Sequence, residues 1–269
     1  MTAVSAAGLH VIERPGSDDL PLVACVHGAM DRGSSFGRTL RALRGLGDGP
    51  TLTYDRRGYG HSSEVAVAGF DVQVTDLLDV LAGRPAVVVG HSLGGVIALA
   101  AAARVPDQVR AVLAYEPPTP WVPWWPEGSA GDTALRVTAS TGASPSWRGE
   151  PAPGDRAERF LREVLGDRRW ERLPPETRHQ RRREEPALLA DVISLRGEGP
   201  PFSVNDVVAP VILAYGAEGR AHHRRATREL AARLSTAELI EVPGAAHGVH
   251  LSHPRELAGL IARARQVAR

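Results

Sequence analysis

The sequence passes from a buried strand into a buried helix with almost no loop between them. Residues 87–89 are three valines, a run typical of a strand covered on both faces, and residues 96–103 are apolar and continue as a helix. The backbone must turn so sharply at Ser92 that side chains two positions before and after it would collide. Both positions, Gly90 and Gly94, are glycines. The turn therefore pushes the Ser92 hydroxyl outward at a helix N-terminus, where free N–H groups stabilise anions.

Two phosphate-binding motifs share this strand, turn and helix but require other residues. The P-loop needs a lysine after its last glycine, and the dinucleotide-binding fingerprint needs glycines in the pattern G-x-G-x-x-G. Neither occurs in residues 90–95. The segment instead has the features of a nucleophile elbow, and the chain resembles the α/β-hydrolase fold family. The resemblance implies an α/β protein with a mostly parallel central sheet flanked by helices and a helical cap insertion.

Strands and helices alternate on both sides of the elbow. An antiparallel hairpin is predicted within residues 4–14. Apolar β-rich runs predict further strands at residues 22–26, 51–54, 111–115, 211–215 and 237–242. Helical periodicity predicts helices at residues 34–44, 72–81, 224–234 and 254–267. This alternation indicates a parallel sheet with helices on its faces.

The alternation is interrupted for the 94 residues 117–210, which hold 14 of the 21 prolines and all five tryptophans. Well-patterned helices are predicted there at residues 155–165 and 186–195. We interpret the interruption as a cap inserted over the active site, where relatives carry a substrate-specific lid. The predicted division is a hydrolase core at residues 1–116 and 206–269 and a cap at residues 117–205.

Three cap tryptophans, Trp121, Trp124 and Trp125, lie close together in the sequence. They fit either an aromatic wall for an apolar substrate group or the small hydrophobic core that a cap needs. Both interpretations remain open.

A basic run occupies residues 178–183 of the predicted cap and is followed at once by Glu184 and Glu185. A solvated helix face explains the run best, and recognition of a substrate carboxylate or phosphate is the alternative.

The predicted strand at residues 22–26 ends at His27 and Gly28. The resemblance implies that the next backbone N–H, that of Ala29, joins the N–H of Leu93 to form an oxyanion hole. The later segment 55–62 matches the family pattern Asp-x-Arg-Gly-x-Gly-x-Ser. This match implies that the segment braces the nucleophile elbow, with the Asp55 side chain holding its own loop.

His247 stands on the loop after the last predicted strand, shortly before a helix that begins with proline, as the family's catalytic histidine does. His250 and His253 are its rivals. The three histidines also suggest a metal site, but the loop offers no cysteine or carboxylate to complete the ligands. No metal and no cofactor are therefore expected.

The acid that would orient His247 has two candidates. The family most often places an aspartate three residues past the glycine that ends the strand before the last, and here that position is Gly219, with Glu218 one residue earlier. Other branches place the acid after the strand that follows the nucleophile helix, where Glu116 stands. Both keep the order serine, acid, histidine. We favour Glu116, because Pro117 and the proline after it fix its backbone.

Composition excludes several other classes of protein. All 32 basic residues are arginines, and 31 acidic residues bring the net charge to +1, so no nucleic-acid partner is expected. The single cysteine, Cys25, lies in an apolar run and is predicted to be buried. No apolar run reaches the length of a membrane span and no secretion signal stands at the N-terminus, so a cytoplasmic protein without a membrane partner is expected. Nothing in the sequence predicts an oligomeric state.

These features predict a serine hydrolase acting through Ser92, His247 and Glu116. Its expected partner is a small, mainly apolar substrate with an ester, thioester or lactone group. Epoxides and haloalkanes are not expected as substrates, because the resemblance implies that epoxide hydrolases and haloalkane dehalogenases of this fold need an aspartate nucleophile, and the nucleophile here is Ser92. Cofactor-free perhydrolase chemistry is an alternative. So is a non-catalytic small-molecule receptor on the same fold, because the identity of the acid is open.

Overall fold

The computed structural model describes residues 2–126, 129, 131, 152–196 and 199–268. Eight strands form one sheet: β1 (Thr2–Val4), β2 (His10–Arg14), β3 (Leu22–Val26), β4 (Thr51–Tyr54), β5 (Ala86–His91), β6 (Val109–Tyr115), β7 (Val211–Gly216) and β8 (Ala237–Val242). Their order across the sheet is β1-β2-β4-β3-β5-β6-β7-β8. Strands β3 to β8 pair in parallel, whereas β1 pairs with β2, and β2 with β4, in antiparallel fashion. The predicted mostly parallel sheet with an N-terminal hairpin is confirmed.

The helices of the described residues are α1 (Gly37–Arg44), α2 (Phe70–Leu81), α3 (Leu93–Arg104), α4 (Asp155–Leu165), α5 (Asp167–Glu171), α6 (Pro175–Arg183), α7 (Glu185–Ser194), α8 (Ala221–Arg233), α9 (Val249–Ser252) and α10 (Pro254–Val267). Short 3₁₀ turns occur at Gly33–Phe36, Gly60–Ser62 and Val204–Asp206. The helix predicted from residue 34 thus begins with a 3₁₀ turn, and the helix predicted from residue 224 begins at Ala221. Periodicity marks the core-facing residues of a helix and misses a polar first turn.

Both faces of the sheet are covered by helices. Along β5, Val88 packs into one apolar cluster, whereas Val87 and Val89 pack into the other, because successive side chains of a strand point to opposite faces. Helices α2 and α3 contribute to the first cluster, and α1 and α10 to the second. Burial on both faces explains the continuous valine run.

Among the described residues, the helices α4 to α7 lie between β6 and β7 and are called the cap helices below. Trp170, which is 1% exposed, packs with Leu161 and Leu188 of these helices and with Met30 and Tyr59 of the preceding segments. The sequence did not predict α5, which buries only Trp170, and it indicated α6, which buries none of its residues, only as a solvated helix face at residues 178–183. The residue bounds of the core and cap remain a prediction.

Every segment singled out for chemistry follows the carboxyl end of a parallel strand. Ala29 follows β3, Ser92 follows β5, Glu116 follows β6 and His247 follows β8. Parallel strands end at the same edge of a sheet, so the fold brings these segments together. No helix in the described ranges is long and apolar enough to cross a membrane.

Candidate active site

Ser92 occupies a strained turn between β5 and α3. Its φ of 54° and ψ of −125° lie in a region that non-glycine residues rarely adopt. The Ser92 N–H donates to the Tyr115 carbonyl at 2.8 Å, and the Ser92 carbonyl accepts the Gly95 N–H at 2.8 Å. Backbone hydrogen bonds on both sides therefore hold Ser92 in this conformation.

The two glycines of the elbow have no room for a side chain. A Cβ on Gly90 would lie 2.2 Å from the Gly94 carbonyl oxygen, which is the collision expected from the sequence. A Cβ on Gly94 would lie 2.1 Å from the carbonyl oxygen of Val26, at the end of β3. The second glycine thus permits α3 to begin directly against the neighbouring strand.

The segment after β3 approaches the serine just as closely. A Cβ on Gly28 would lie 2.9 Å from the Ser92 Cβ, so only glycine permits this approach. Ala29 follows and lines the same cavity as Ser92 and Leu93. The next residue, Met30, has a φ of 56°. Both residues predicted to supply oxyanion-hole N–H groups therefore lie beside Ser92.

Arg56 holds the segment after β3, which carries Ala29, in place. Its guanidinium donates to the carbonyl oxygens of His27 at 3.0 Å and Gly28 at 3.1 Å. The same guanidinium forms a two-pronged ion pair with Asp191 of α7, at 2.7 and 3.0 Å. Burial acts to lower the pKa of Arg56, but the Asp191 carboxylate raises it above its ordinary value. One buried arginine thus joins the segment that carries Ala29 to a cap helix.

Asp55 holds its own loop, as predicted. Its carboxylate accepts the backbone N–H of His61 and that of Gly33, each at 2.9 Å. A Cβ on Gly60 would lie 2.3 Å from Oδ2, so the loop closes tightly on the carboxylate. These contacts give Asp55 a structural role.

Glu116 and His247 form a short contact. The Nδ1–H of His247 donates to Glu116 Oε2 at 2.6 Å, and the second carboxylate oxygen accepts the Gly216 N–H at 3.0 Å. The Glu116 side chain is fully buried, whereas that of His247 is 25% exposed. Because Nδ1 carries the proton, Nε2 of His247 keeps a free lone pair. The pair thus has the geometry of an acid that orients a base.

Glu218 does not share this position. Its side chain is exposed, and its backbone N–H donates to the Ala245 carbonyl at 2.9 Å. Of the two acids that the sequence left open, the structure brings Glu116 to His247.

Two other histidines pack against His247. The His223 ring stacks on it with centroids 4.5 Å apart and planes 21° apart, and the His91 ring lies 4.7 Å away at 49°. Burial, with the charges of neighbouring histidines, holds the pKa of both His223 and His91 well below the ordinary value. His223 and His91 are therefore neutral at neutral pH and add no positive charge beside His247.

His250 and His253, the rivals of His247, point elsewhere. His250 is buried with its Nε2 3.1 Å from Asp31 Oδ2, and His253 Nδ1 lies 2.9 Å from Ser252 Oγ. Within the described part of the chain, His247, His250 and His253 form no common ligand set.

The cavity at Ser92 has a volume of about 140 Å³ and lies between the sheet edge and the cap helices. Its wall includes His247 and these mostly apolar residues: Ala29, Leu93, Pro118, Pro120, Trp125, Phe160, Val164, Val192 and Leu195. The polar groups of the wall come from these residues: Ser92, Ser129, Asp191, Arg196, Arg220, His222, His223 and His247. The cavity thus offers a mainly apolar chamber next to the Ser92 side chain.

The three cap tryptophans have different environments. Trp125 lines the cavity and meets His222 and His223 edge-on, with ring centroids 4.9 and 5.5 Å apart. Trp121 packs against the sheet core, and Trp124 donates to Glu229 at 2.9 Å. Of these three tryptophans, only Trp125 fits the predicted aromatic wall. The alternative was that they form the small hydrophobic core of the cap, and that core contains Trp170 instead.

The basic run forms the exposed helix α6, as the favoured interpretation predicts. Arg178 pairs with Glu171 at 3.1 Å, and Arg182 pairs with Asp155 at 2.6 Å. Arg181 pairs with Glu184 at 3.5 Å, and its guanidinium also donates to the Met30 carbonyl at 2.6 Å. The run thus binds carboxylates of the cap and one carbonyl beside Ala29.

Sequence reasoning missed Asp191 and His223. Asp191 lies on a helix that periodicity located, but its partner Arg56 is 135 residues away. His223 stands in the first turn of a helix whose predicted start was residue 224. Neither belonged to a local motif, so only tertiary structure reveals their contacts.

The family model described as "Alpha/beta hydrolase family" matches residues 23–260. The chain is 31% identical over 216 residues to pimeloyl-[acyl-carrier protein] methyl ester esterase of Chromobacterium violaceum, a match that covers 76% of this chain and 79% of that protein. It is 36% identical over 112 residues to Lipase LipV of Mycobacterium tuberculosis, covering 40% of this chain and 41% of that protein.

A solved structure of a hydrolase from Pseudomonas aeruginosa is similar throughout. The TM-score is 0.72 at 18% identity, over 98% of this chain and 97% of that chain. At this identity the likeness shows the fold alone.

Proposed function

The chain belongs to the alpha/beta hydrolase family and is a hydrolase, and from this premise we propose that it cleaves a carboxylic ester, thioester or lactone through a serine acyl-enzyme. In this proposal Ser92 is the nucleophile, His247 the general base and Glu116 the orienting acid. The observation that carries it is the 2.6 Å contact between His247 Nδ1 and the buried Glu116 carboxylate, beside the cavity that Ser92 lines.

The His247–Glu116 contact sets the direction of proton transfer. A carboxylate only accepts hydrogen bonds, so Nδ1 must carry the proton and Nε2 is left to take the hydroxyl proton of Ser92. When it does so, the imidazole becomes positively charged, and the buried carboxylate stabilises that charge.

The reaction proceeds in two halves. Ser92 Oγ attacks the substrate carbonyl while its proton moves to His247 Nε2, and the resulting tetrahedral intermediate expels the alcohol or thiol, which takes that proton. Water then attacks the acyl-enzyme carbonyl while His247 Nε2 accepts a proton from the water. The second tetrahedral intermediate breaks its bond to Ser92 Oγ, which takes that proton from His247, and the carboxylic acid is released. For a lactone, the leaving alcohol stays attached to the acid.

The backbone N–H groups of Ala29 and Leu93 hold the oxyanion of both intermediates. The tight approach of Gly28 to Ser92 supports this role, because it brings the Ala29 segment next to the start of α3. Each such donor contributes about 3 to 4 kcal/mol to lowering the barrier in well-studied enzymes.

The cavity supports a small and mainly apolar acyl or alcohol group. Trp125, Phe160 and the aliphatic side chains of the wall provide the apolar surface, and a volume of about 140 Å³ limits the size. The relative from Chromobacterium violaceum is named as a methyl ester esterase, which supports an ester as the reacting bond.

A substrate panel tests this proposal. Short p-nitrophenyl esters, an acyl thioester and a simple lactone are assayed with the wild type, with Ser92→Ala and with Ser63→Ala, whose side chain is exposed. We expect turnover of at least one substrate class by the wild type and Ser63→Ala, and its loss in folded Ser92→Ala. Wild-type turnover by Ser92→Ala would contradict the proposal.

A further inference from the structure

Three side chains lie close together next to the candidate active site. They are Asp31, His91 and His250, and they are called the buried trio below. Each lies next to one part of that site: Asp31 two residues after Ala29, His91 immediately before Ser92, and His250 three residues after His247. One side-chain ligand atom from each lies within 4.8 Å of the other two. His91 is 7% exposed and His250 is 2% exposed.

The tautomer of His91 is fixed by its backbone partner. Its Nε2 lies 2.7 Å from the His247 carbonyl oxygen, which only accepts hydrogen bonds, so Nε2 carries the proton. The other nitrogen, Nδ1, then presents a bare lone pair, and no hydrogen-bond donor reaches it within the described residues. Metal-binding histidines commonly have this arrangement, with one nitrogen donating to a carbonyl and the other ligating.

His250 has one ring nitrogen with a polar partner and one without. Its Nε2 pairs with Asp31 Oδ2 at 3.1 Å, whereas its Nδ1 is buried and lacks a hydrogen-bond partner among the residues that the structure describes. Two ligands of a tetrahedral zinc ion, each about 2.1 Å from the metal, lie about 3.4 Å apart. The ion pair of His250 and Asp31, at 3.1 Å, therefore needs to open by only about 0.3 Å for both atoms to share an ion.

We propose that the buried trio is a Zn²⁺ site, formed by His91 Nδ1, a ring nitrogen of His250 and a carboxylate oxygen of Asp31. Two imidazoles and one carboxylate are a common protein ligand set for zinc, and water completes a tetrahedral ion. The Asp31 side chain is 19% exposed, which gives water and the ion an approach. Three short segments that carry Ala29, Ser92 and His247 are thereby tied to one ion.

Two other groups of histidines and carboxylates are less suited to zinc. His223 and His247 stack with planes only 21° apart, so their in-plane lone pairs run side by side and do not converge on one ion. In the group His10, Asp55 and His61, the His61 side chain is 76% exposed and stacks on His10 at 30°. The rings of His91 and His250 lie 4.5 Å apart and are tilted by 55°, so they are not stacked face to face.

Zinc binding to the full chain tests the proposal without reference to turnover. Protein freed of metal with a chelator and dialysed is titrated with ZnCl₂, and bound zinc, the unfolding temperature and, with Co²⁺ in place of Zn²⁺, the visible spectrum are measured. The ligand variants are His250→Gln and Asp31→Asn. The matched controls are His223→Gln and His61→Gln, one from each of the other two groups.

We expect one zinc ion per wild-type chain, a tetrahedral Co²⁺ spectrum, and a rise in unfolding temperature of about 5 °C at a hundredfold excess of free zinc over its Kd. Both ligand variants should bind zinc at least about tenfold more weakly, and both controls should bind as the wild type does. Three results would each overturn the proposal: no stoichiometric binding by folded wild type, unchanged binding by both ligand variants, or loss of binding in His223→Gln or His61→Gln.

Discussion

The carboxylate of Glu116 fills the space that a side chain on Gly219 would occupy, because a Cβ on Gly219 would lie 2.2 Å from Glu116 Oε1. Position 219 is where the family most often carries its acid. Here the proposed acid, Glu116, comes from the end of β6 instead, and the usual position is a glycine that leaves room for it. The two positions are therefore alternatives for one carboxylate site.

A methyl group at position 219 should disturb the acid without touching the base. We expect Gly219→Ala to push the Glu116 carboxylate away from His247 and to lower kcat about a hundredfold, the loss that a misplacement of about 1 Å causes in other enzymes. Gly37→Ala is the matched control, because a Cβ there meets nothing within 4 Å. Steady-state kinetics on a short ester measures both. A Gly219→Ala protein with wild-type kcat would show that the contact is unimportant.

The two carboxylates that the sequence offered give opposite outcomes for one pair of variants. We expect Glu116→Gln to lower kcat by about 10⁴, because the amide no longer holds the His247 tautomer that leaves Nε2 unprotonated. Glu218→Gln should leave kcat nearly unchanged, since the exposed Glu218 side chain does not contact His247. Circular dichroism of both variants shows whether they fold. An inactive Glu218→Gln beside an active Glu116→Gln would refute the assignment.

His27 should make stability depend on pH. Its Nε2 accepts the Arg56 N–H at 2.9 Å and its Nδ1–H donates to Gly28, so it is buried in the neutral form. Burial, followed by the positive charge of Arg56, lowers the pKa of His27 to about 4. The unfolded chain takes up this proton near pH 6.5 and the folded chain does not, so its contribution is fully present above about pH 6.5 and is lost as the pH falls toward about 4.

Denaturant unfolding at several pH values measures this loss. Between about pH 8 and pH 5 the His27 contribution to the free energy of unfolding should fall by about 2 kcal/mol. His27→Gln should lack that part of the pH dependence, whereas His61→Gln, with an exposed ring, should keep it. Equal pH dependence in the wild type and His27→Gln would contradict the buried neutral state.

The ion pair of Arg56 and Asp191 links the core to a cap helix, and we expect it to make a large contribution to the free energy of unfolding. Both side chains are at most 3% exposed, so Asp191→Ala leaves a buried guanidinium without its carboxylate, and we expect a loss of about 3 to 5 kcal/mol in the free energy of unfolding. Asp167→Ala removes an 80% exposed partner of Arg162 and should cost under about 1 kcal/mol. Denaturant unfolding compares the two. Similar losses in both variants would show that burial of the pair has no such effect.

The sequence predicts the fold well because individual strands, turns and helices each have a recognisable local residue pattern. The valine run of β5, the glycines around Ser92 and the apolar stripes of the core helices each report on their own neighbourhood. Cys25 was predicted to be buried for the same reason, and burial raises its pKa to about 12. The choice between Glu116 and Glu218 lay beyond such patterns, because it depends on how two loops at the sheet edge meet.

Contacts between distant segments account for what the sequence did not predict. Arg56 and Asp191 are 135 residues apart, and Asp31, His91 and His250 come from three separate segments. The sequence places His250 beside His247 and His253, whereas its structural neighbours are Asp31 and His91. The spacing of charged and polar residues along the sequence has little periodicity, so it does not predict which residues they contact. Those contacts form only when the loops at the sheet edge come together in the fold.

The central claim is that Ser92 is a nucleophile activated by His247, and covalent labelling tests it most directly. A fluorophosphonate probe is incubated with the wild type, Ser92→Ala and His247→Gln, and the modified peptide is identified by mass spectrometry. We predict one adduct per wild-type chain, on Ser92, with none on Ser92→Ala and far slower labelling of His247→Gln. Labelling at another residue, or unchanged labelling of folded Ser92→Ala, would contradict the claim.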